Sequence, residues 1–296
     1  MGANGRRLCA VVDLKHKTLN IERMMIVEQM LKNAQTPLLH IADVSGSALF
    51  QGDCLDIMPL IPDKSVQLIL ADLPYGTTQN KWDSVLPLDL LWQQYERIIT
   101  DNGAIVLTAT NPFASALIMS NPKLFKYDIV WHKNCPSNPA MAKRQVMRQH
   151  ELVLIFYKKQ CVYNPQMEEY SESSKSRIKY SFNVDKKSEH YDLKEIGCRG
   201  EKRYPNSVQK ITRQTGIHPT QKPLELMKYL IKTYTNEGDL VLDNTAGSGT
   251  TAIACLNTKR QFIVMEKEQK YYDIILKRVG DFNKNFEPQT LFGNVM

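Results

Sequence analysis

A chain of 296 residues with a formal charge of +7 and 43% hydrophobic residues can build one large α/β domain with an insert, or two modest domains. Its longest strongly apolar run, Leu152 to Tyr157, is far shorter than a bilayer span, and no basic-then-apolar leader precedes a small-residue cleavage site, so membrane insertion and export are not expected. Cys9, Cys54, Cys135, Cys161, Cys198 and Cys255 form no Cys-x-x-Cys pair and no cluster at zinc spacing; they read as reduced thiols of a cytoplasmic protein without a metal site.

The first 46 residues carry no motif. Ile21 to Leu31, rich in Met and Ile, reads as a short amphipathic helix that either caps the domain or meets a partner. A buried-strand pattern then runs from Val66 to Asp72, with Gln67 its one polar residue before the aspartate. It ends in Asp72-Leu73-Pro74-Tyr75-Gly76, which sets a carboxylate, a bare carbonyl and an aromatic ring side by side. Alone, such a tetrapeptide reads as a turn, since Asp caps and Pro sets φ. It is also what holding an extruded nucleobase demands. An amine conjugated to a ring is a poor nucleophile, and acceptors on its two hydrogens draw it towards an attacking geometry. Asp72 and the Leu73 carbonyl suit that task, and Tyr75 suits stacking on the base.

Helices are predicted near Leu88 to Thr100 and Pro112 to Ser120, with strands at Ala104 to Ala109, Tyr127 to Trp131 and Leu152 to Tyr157. Between Met141 and Arg213 sixteen Lys and Arg face nine acids, so this stretch carries the whole chain's excess of +7. Aromatic residues interleave with these charges, a pattern that suits phosphate contact plus base or sugar packing. In the predicted helix Pro223 to Tyr234, Leu224, Met227, Leu230, Ile231 and Tyr234 share one face, and that stripe reads as core.

Leu240 to Asp243 is a short strand that runs into Asn244-Thr245-Ala246-Gly247-Ser248-Gly249-Thr250-Thr251 and a helix to Asn257. Glycines at such a turn let a ligand approach the backbone, and the helix beyond offers free N–H groups. No Lys follows the second glycine, as a phosphate loop would require, and a dinucleotide fingerprint finds only Ala252 at its third glycine. The next strand, Phe262 to Glu266, ends on an acid 23 positions after Asp243, near the spacing at which a carboxylate reaches ribose hydroxyls. A helix over Gln269 to Phe282 closes the pattern, and the alternation of strands and helices is that of a doubly wound sheet.

Together these residues resemble the S-adenosylmethionine-dependent DNA amino-methyltransferases, which carry an Asp-Pro-Pro-Tyr motif and a cofactor motif ending in Gly-x-Gly. With the catalytic motif first, the order looks like the permuted β group. Smaller stretches match too: Gly52-Asp53-Cys54, Pro62 to Val66, Asn102 to Val106, Ile129 to Lys133, His150-Glu151 and, most specifically, His218-Pro219-Thr220-Gln221-Lys222-Pro223. The resemblance runs from about Ser47 to about Asp281 except between about Lys158 and Gly216.

It implies a Rossmann-like, mostly parallel, seven-stranded methyltransferase sheet, circularly permuted, with an inserted target-recognition segment. The implied divisions are an extension at 1–46, a catalytic half at 47–157, the insert at 158–216, a cofactor half at 217–284 and a tail at 285–296. Asp72, Leu73, Pro74 and Tyr75 would be catalytic. Asp53, Lys222, Asp243, Asn244, Thr245, Ala246, Gly247, Ser248, Gly249, Thr250 and Glu266 would hold S-adenosylmethionine. Lys143, Arg144, Arg148, Lys179, Arg199, Lys202 and Arg203 would contact double-stranded DNA.

The implied reaction is methyl transfer to the N6 amine of adenine. Its rivals are transfer to the N4 amine of cytosine, a branch in which Ser more often stands at the Asp72 position, and a silent DNA-binding subunit. A homodimer and a cognate restriction endonuclease are partners the resemblance leaves open. Leu73 replaces the family's first proline but keeps the carbonyl, and Asn244-Thr245 replaces a usual Pro-Phe, which leaves the adenine side of the cofactor pocket undefined.

Overall fold

A computed structural model describes Ile26, Met30 and residues 47–76, 85–170, 202–214 and 221–282. Most of the expected 1–46 extension, the 285–296 tail, His218 to Thr220, Lys179 and Arg199 lie outside the described residues. Of the expected N-terminal helix, Ile26 and Met30 are helical, and Met30 is fully buried.

Ten strands and six α-helices are described. In chain order they are β1 (Ala48–Gln51), α1 (Cys54–Ile57), β2 (Val66–Ala71), α2 (Leu88–Ile98), β3 (Ile99–Ala109), α3 (Phe113–Ser120), β4 (Phe125–His132) and β5 (His150–Phe156). There follow β6 (Glu168–Glu169), β7 (Lys202–Arg203), β8 (Val208–Lys210), α4 (Leu224–Tyr234), β9 (Leu240–Asp243), α5 (Thr250–Thr258), β10 (Gln261–Glu266) and α6 (Gln269–Phe282). One compact unit comprises Met1–Asn164 and Val208–Met296, and a second comprises Pro165–Ser207. The second contains the antiparallel pair β6 and β7.

The large sheet has the order β1-β10-β9-β2-β3-β5-β4-β8. The pairs from β1 to β3 are all parallel, β5 runs antiparallel to both β3 and β4, and β8 lies parallel to β4. The expected sheet of seven strands is thus one of eight among the described residues. The addition is the three-residue edge strand β8, whose Val208 is exposed and whose Gln209 is buried, so no apolar alternation announces it.

Strands β9 and β10 are buried at every position, as strands covered on both faces must be. Two apolar layers do the covering. Ile69 and Ala71 of β2 face α1, α2 and α3, while Leu68 and Leu70 face α4, α5 and α6. Helix α2 shows why such a helix forms: Leu91, Trp92, Tyr95 and Ile98 recur on one face, Asp89 sits in the first turn and Arg97 in the last, complementing the helix dipole. Each of those four buried side chains contributes about 1.5–3 kcal/mol relative to exposure. The helix was expected to reach Thr100; instead Ile99 and Thr100 open β3, with Ile99 paired to Val66 across an irregular register. The α4 stripe is core as expected, with Leu226 buried beside it.

The pairing that matters most for chemistry is that of β2 with β9. Leu68 lies beside Val241 and Ile69 beside Leu242, so the two motif-bearing strands, far apart in sequence, end side by side. In open α/β sheets ligands bind in such crevices beyond the carboxyl ends of the strands.

Candidate active site

Asp72 and Asp243 emerge from these adjacent strand ends and line one cavity of about 490 Å³. That volume is of the size that holds drug- or nucleoside-sized ligands. Backbone ties fix the two loops to each other: the Thr245 hydroxyl donates to the Asp72 carbonyl oxygen at 3.2 Å. Thr245, one of the two departures in the 243–251 loop, thus joins that loop to the Asp72 turn. Asn244, the other, is buried and turned to support: its Oδ1 accepts from the Tyr95 hydroxyl at 2.6 Å and its Nδ2 donates to Cys54 Sγ at 3.5 Å.

At the catalytic end, Asp72 is heavily hydrogen-bonded. Its Oδ1 accepts from the Tyr75 hydroxyl at 2.6 Å and the Thr108 hydroxyl at 2.5 Å, and its Oδ2 accepts from Lys222 Nζ. Tyr75 also packs on Phe113, with ring centroids 5.3 Å apart. Burial, then the Asp72 charge, raises the Tyr75 pKa well above the usual range, so its hydroxyl stays a donor. Leu73 is buried and Pro74 lines the cavity.

Lys222, expected to serve the cofactor, lines the cavity. Its ammonium stands against the Asp72 carboxylate, 3.4 Å from Glu151 Oε2 and 5.8 Å from the centre of the Tyr75 ring. Burial alone would lower its pKa, but Asp72, Tyr75 and Glu151 outweigh burial and the net direction is upward. Glu151 in turn binds Lys133 Nζ through Oε1. Burial acts to raise the Glu151 pKa, yet Lys222 and Lys133 bring it below the ordinary carboxylate value. Glu151 and Lys133 are site residues that the motifs did not single out. The one sequence signal for them is their position in two of the short stretches that match the family, Ile129 to Lys133 and His150-Glu151.

At the opposite end, Asp243 accepts from Thr245 N at 3.1 Å and from the Thr251 hydroxyl at 2.6 Å. Burial pushes its carboxyl up to about 7, helped by the charges of Asp72 and Glu266 and opposed by those two hydrogen bonds. Glu266 accepts from Gly247 N and Glu268 N, both at 2.8 Å, and burial raises its pKa as well. Asp53 caps α1 by accepting from Leu55 N at 3.0 Å and pairs with Lys267 at 2.9 Å on the cavity rim. Ala246, Ser248 and Thr250 also line the cavity, and the Ser248 carbonyl accepts from Arg278.

The two glycines of the loop do different work. Gly247 has φ of +55°, and a Cβ built there meets nothing within 4 Å, which leaves its backbone bare to the cavity. Gly249 does not line the cavity, and a Cβ there would stand 2.7 Å from Ile275 of α6. It packs against α6, where any side chain would collide with Ile275.

Of the expected DNA contacts, Lys143, Arg144 and Arg148 lie on the loop between β4 and β5, and Arg148 donates to the Asn111 carbonyl at 3.3 Å. Lys202 and Arg203 form β7, where Arg203 is paired with Glu168 at 2.9 Å. No group of His, Cys, Asp and Glu suited to a metal occurs among the described residues.

A cavity that joins the Asp72 carboxylate to a glycine-bounded pocket at the carboxyl edge of a doubly wound sheet is the architecture of nucleotide-binding enzymes. The chain belongs to the DNA methylase family, whose model matches residues 66–277. It is 28% identical over 261 residues to the type II methyltransferase M2.MboI of Moraxella bovis, covering 78% of this chain and 86% of that protein. It is 28% identical over 253 residues to the DNA adenine methyltransferase YhdJ of Escherichia coli (strain K12), covering 78% of this chain and 82% of that one. Among solved structures, the M1.HpyAVI–SAM complex aligns with TM-score 0.55 and 27% identity over 78% of this chain and 98% of that chain. The cytosine-N4-specific PvuII DNA methyltransferase aligns with TM-score 0.58 at 15% identity, over 80% of this chain and 87% of that chain, and so shares the fold.

Proposed function

We propose that this chain transfers the methyl group of S-adenosylmethionine to the exocyclic N6 amine of adenine in duplex DNA. The observation that carries the reading is the single cavity shared by Asp72 and Asp243. The bare backbone at Gly247 and the two acids Asp243 and Glu266 fit an adenosyl ligand with a cationic methionine portion. Bound there, S-adenosylmethionine supplies an electrophilic methyl group on a sulfonium. Asp72 accepts one hydrogen of the target amine and the Leu73 carbonyl accepts the other, which turns the nitrogen lone pair towards the methyl carbon. Pro74 stiffens that turn and Tyr75 offers its ring to the extruded base. The amine proton left over after methylation would pass along the Asp72 hydrogen bond to solvent. Adenine is favoured over cytosine because the acceptor is Asp rather than Ser and because YhdJ is named as an adenine enzyme.

Duplex DNA would lie against the β4–β5 loop. There Lys143, Arg144 and Arg148 bracket Val146, which is 93% exposed, and Met147. Cations for phosphates around apolar side chains for base or sugar contact suit that polymer. Lys179, Arg199, Lys202 and Arg203 belong to the same reading, as do a cytoplasmic location, a homodimer and a companion restriction endonuclease. No helix among the described residues is long and apolar enough to cross a membrane. The test is methylation of duplex DNA by the purified chain, followed by digestion to nucleosides. N6-methyladenine is the expected product; N4-methylcytosine overturns the base assignment, and no labelled methyl group in either base overturns the activity.

Asp243 gives the cofactor step a pH signature. Burial pushes its carboxyl from an ordinary 3.8 up to about 7, and only the ionised form attracts a cationic ligand. Calorimetric affinity for S-adenosylmethionine is therefore expected to rise between pH 6 and pH 8 by up to roughly tenfold per unit below the pKa, and Asp243→Asn to flatten the profile. The folding contribution has the opposite sign: the folded carboxyl holds its proton longer than the unfolded one, so this group costs stability as pH rises from about 4 through 7. A pH-independent affinity in the unaltered protein would count against Asp243 as a ligand.

A further inference from the structure

We propose that Lys222 is a placeholder for the target amine, and that Glu151 is the seat to which its ammonium moves when the base arrives. The inference rests on reading Asp72 as the acceptor of an exocyclic amine. Asp72 Oδ1 already has two donors, Tyr75 and Thr108, and its Oδ2 is held by Lys222 Nζ. A nitrogen donor thus takes one of the two acceptor sites of the oxygen that an incoming amine would use. In the exchange Lys222 gives way as the base binds in line.

An ammonium that is 7% exposed cannot leave its partner without a second one, since an uncompensated buried charge is strongly disfavoured. Glu151 provides it. Its Oε1 is taken by Lys133; its Oε2 is buried, makes no hydrogen bond of good geometry among the described residues, and is held by a 3.4 Å ion pair to Lys222 Nζ. A buried carboxylate oxygen so loosely held calls for a reason. Movement of Lys222 by roughly 1 Å would turn this contact into a charge-assisted hydrogen bond of about 2.8 Å. Two lysines and two carboxylates remain in the cluster before and after, so the exchange moves a hydrogen bond without stranding a charge. Lys222 and Glu151 are positioning residues: the lysine keeps Asp72 oriented in the empty site, and the glutamate draws it off.

The test is a double-mutant cycle on the full chain, read by methylation of duplex DNA, by fluorescence of 2-aminopurine placed at the target base, and by calorimetric S-adenosylmethionine affinity. Glu151→Gln, which keeps the shape but weakens the seat, is expected to lower kcat and the fluorescence of the extruded base by roughly 10- to 100-fold and to leave cofactor affinity within about threefold. Lys222→Met in the Glu151→Gln background is expected to recover most of that loss, because nothing then competes for Asp72. Losses that instead multiply overturn the exchange, and so does a rise in the cofactor dissociation constant of Lys222→Met beyond about tenfold, which would return the lysine to the cofactor. An unaltered chain that transfers no methyl group to DNA fails by that control, sinking the functional reading and this inference with it. A working unaltered chain without recovery sinks the exchange alone.

Discussion

Asp72→Ala is expected to abolish methyl transfer, by roughly 10²- to 10³-fold or more, while S-adenosylmethionine affinity stays within about threefold. The side chain is the single charged acceptor at the end of β2, and without it the target amine keeps its lone pair delocalised into the ring. The substitution is structurally mild for reasons visible in the site. Lys222, which loses a partner, still has Glu151 at 3.4 Å, so no buried cation is orphaned. The link between the loops survives, because Thr245 donates to the Asp72 backbone carbonyl rather than to its carboxylate. Asp243, Gly247 and Glu266 keep their own hydrogen bonds. Single-turnover methylation alongside calorimetry measures both halves; an Asp72→Ala protein that methylates at a near-normal rate removes Asp72 from the chemistry.

Gly249→Ala is expected to be the most damaging single methyl group in the cofactor half. The residue has φ of +75°, and a Cβ there meets Ile275 Cγ2 at 2.7 Å and Cγ1 at 2.9 Å. The backbone conformation costs about 1–2 kcal/mol for any L side chain, and forcing a packed neighbour aside costs about 1–3 kcal/mol more. Against a total stability of about 5–15 kcal/mol, that sum brings the domain near its threshold. Urea unfolding should show it. In an Ile275→Ala background the cost of Gly249→Ala should shrink to the backbone part, because the clash has gone. An undiminished cost would show that Ile275 is not the obstacle. The contrasting Gly247→Ala should leave stability reduced by the backbone part alone and weaken cofactor binding, since its Cβ would enter the open cavity.

The sequence reveals both ends of the site, but not the partners that hold them. Asp72 to Tyr75 and Asp243 to Thr251 are legible because each sits at the end of a buried strand and uses residue types that only a turn or a ligand demands. The core stripe of α4 is legible for the same local reason, a repeat along one helix. What pattern could not give is partnership across the chain. Lys222 and Asp72 meet over 150 positions, and their contact follows from sheet order rather than from any spacing. Nor does a count of charges show which cations are spoken for: Arg203 contributes to the basic excess yet faces Glu168. Asn244 and Thr245 read as departures with no stated purpose until Tyr95, from a helix 149 positions earlier, is seen to hold the first. Strands β6, β7 and β8, two or three residues long, are too short to show a period at all.

The reversed direction of β5 has one more consequence. Because β5 runs against β3 and β4, its first residues lie at the edge where β2 and β9 end, and so Glu151 reaches the site from a strand's beginning rather than its end. The same reversal brings both feet of the 134–149 connection to that edge, clamped by Lys133 N donating to the Gln149 carbonyl at 2.9 Å. Everything between those feet hangs outside the sheet. Insertions, deletions and exchanges there leave the register of β4 and β5, and with it the position of Glu151, unchanged.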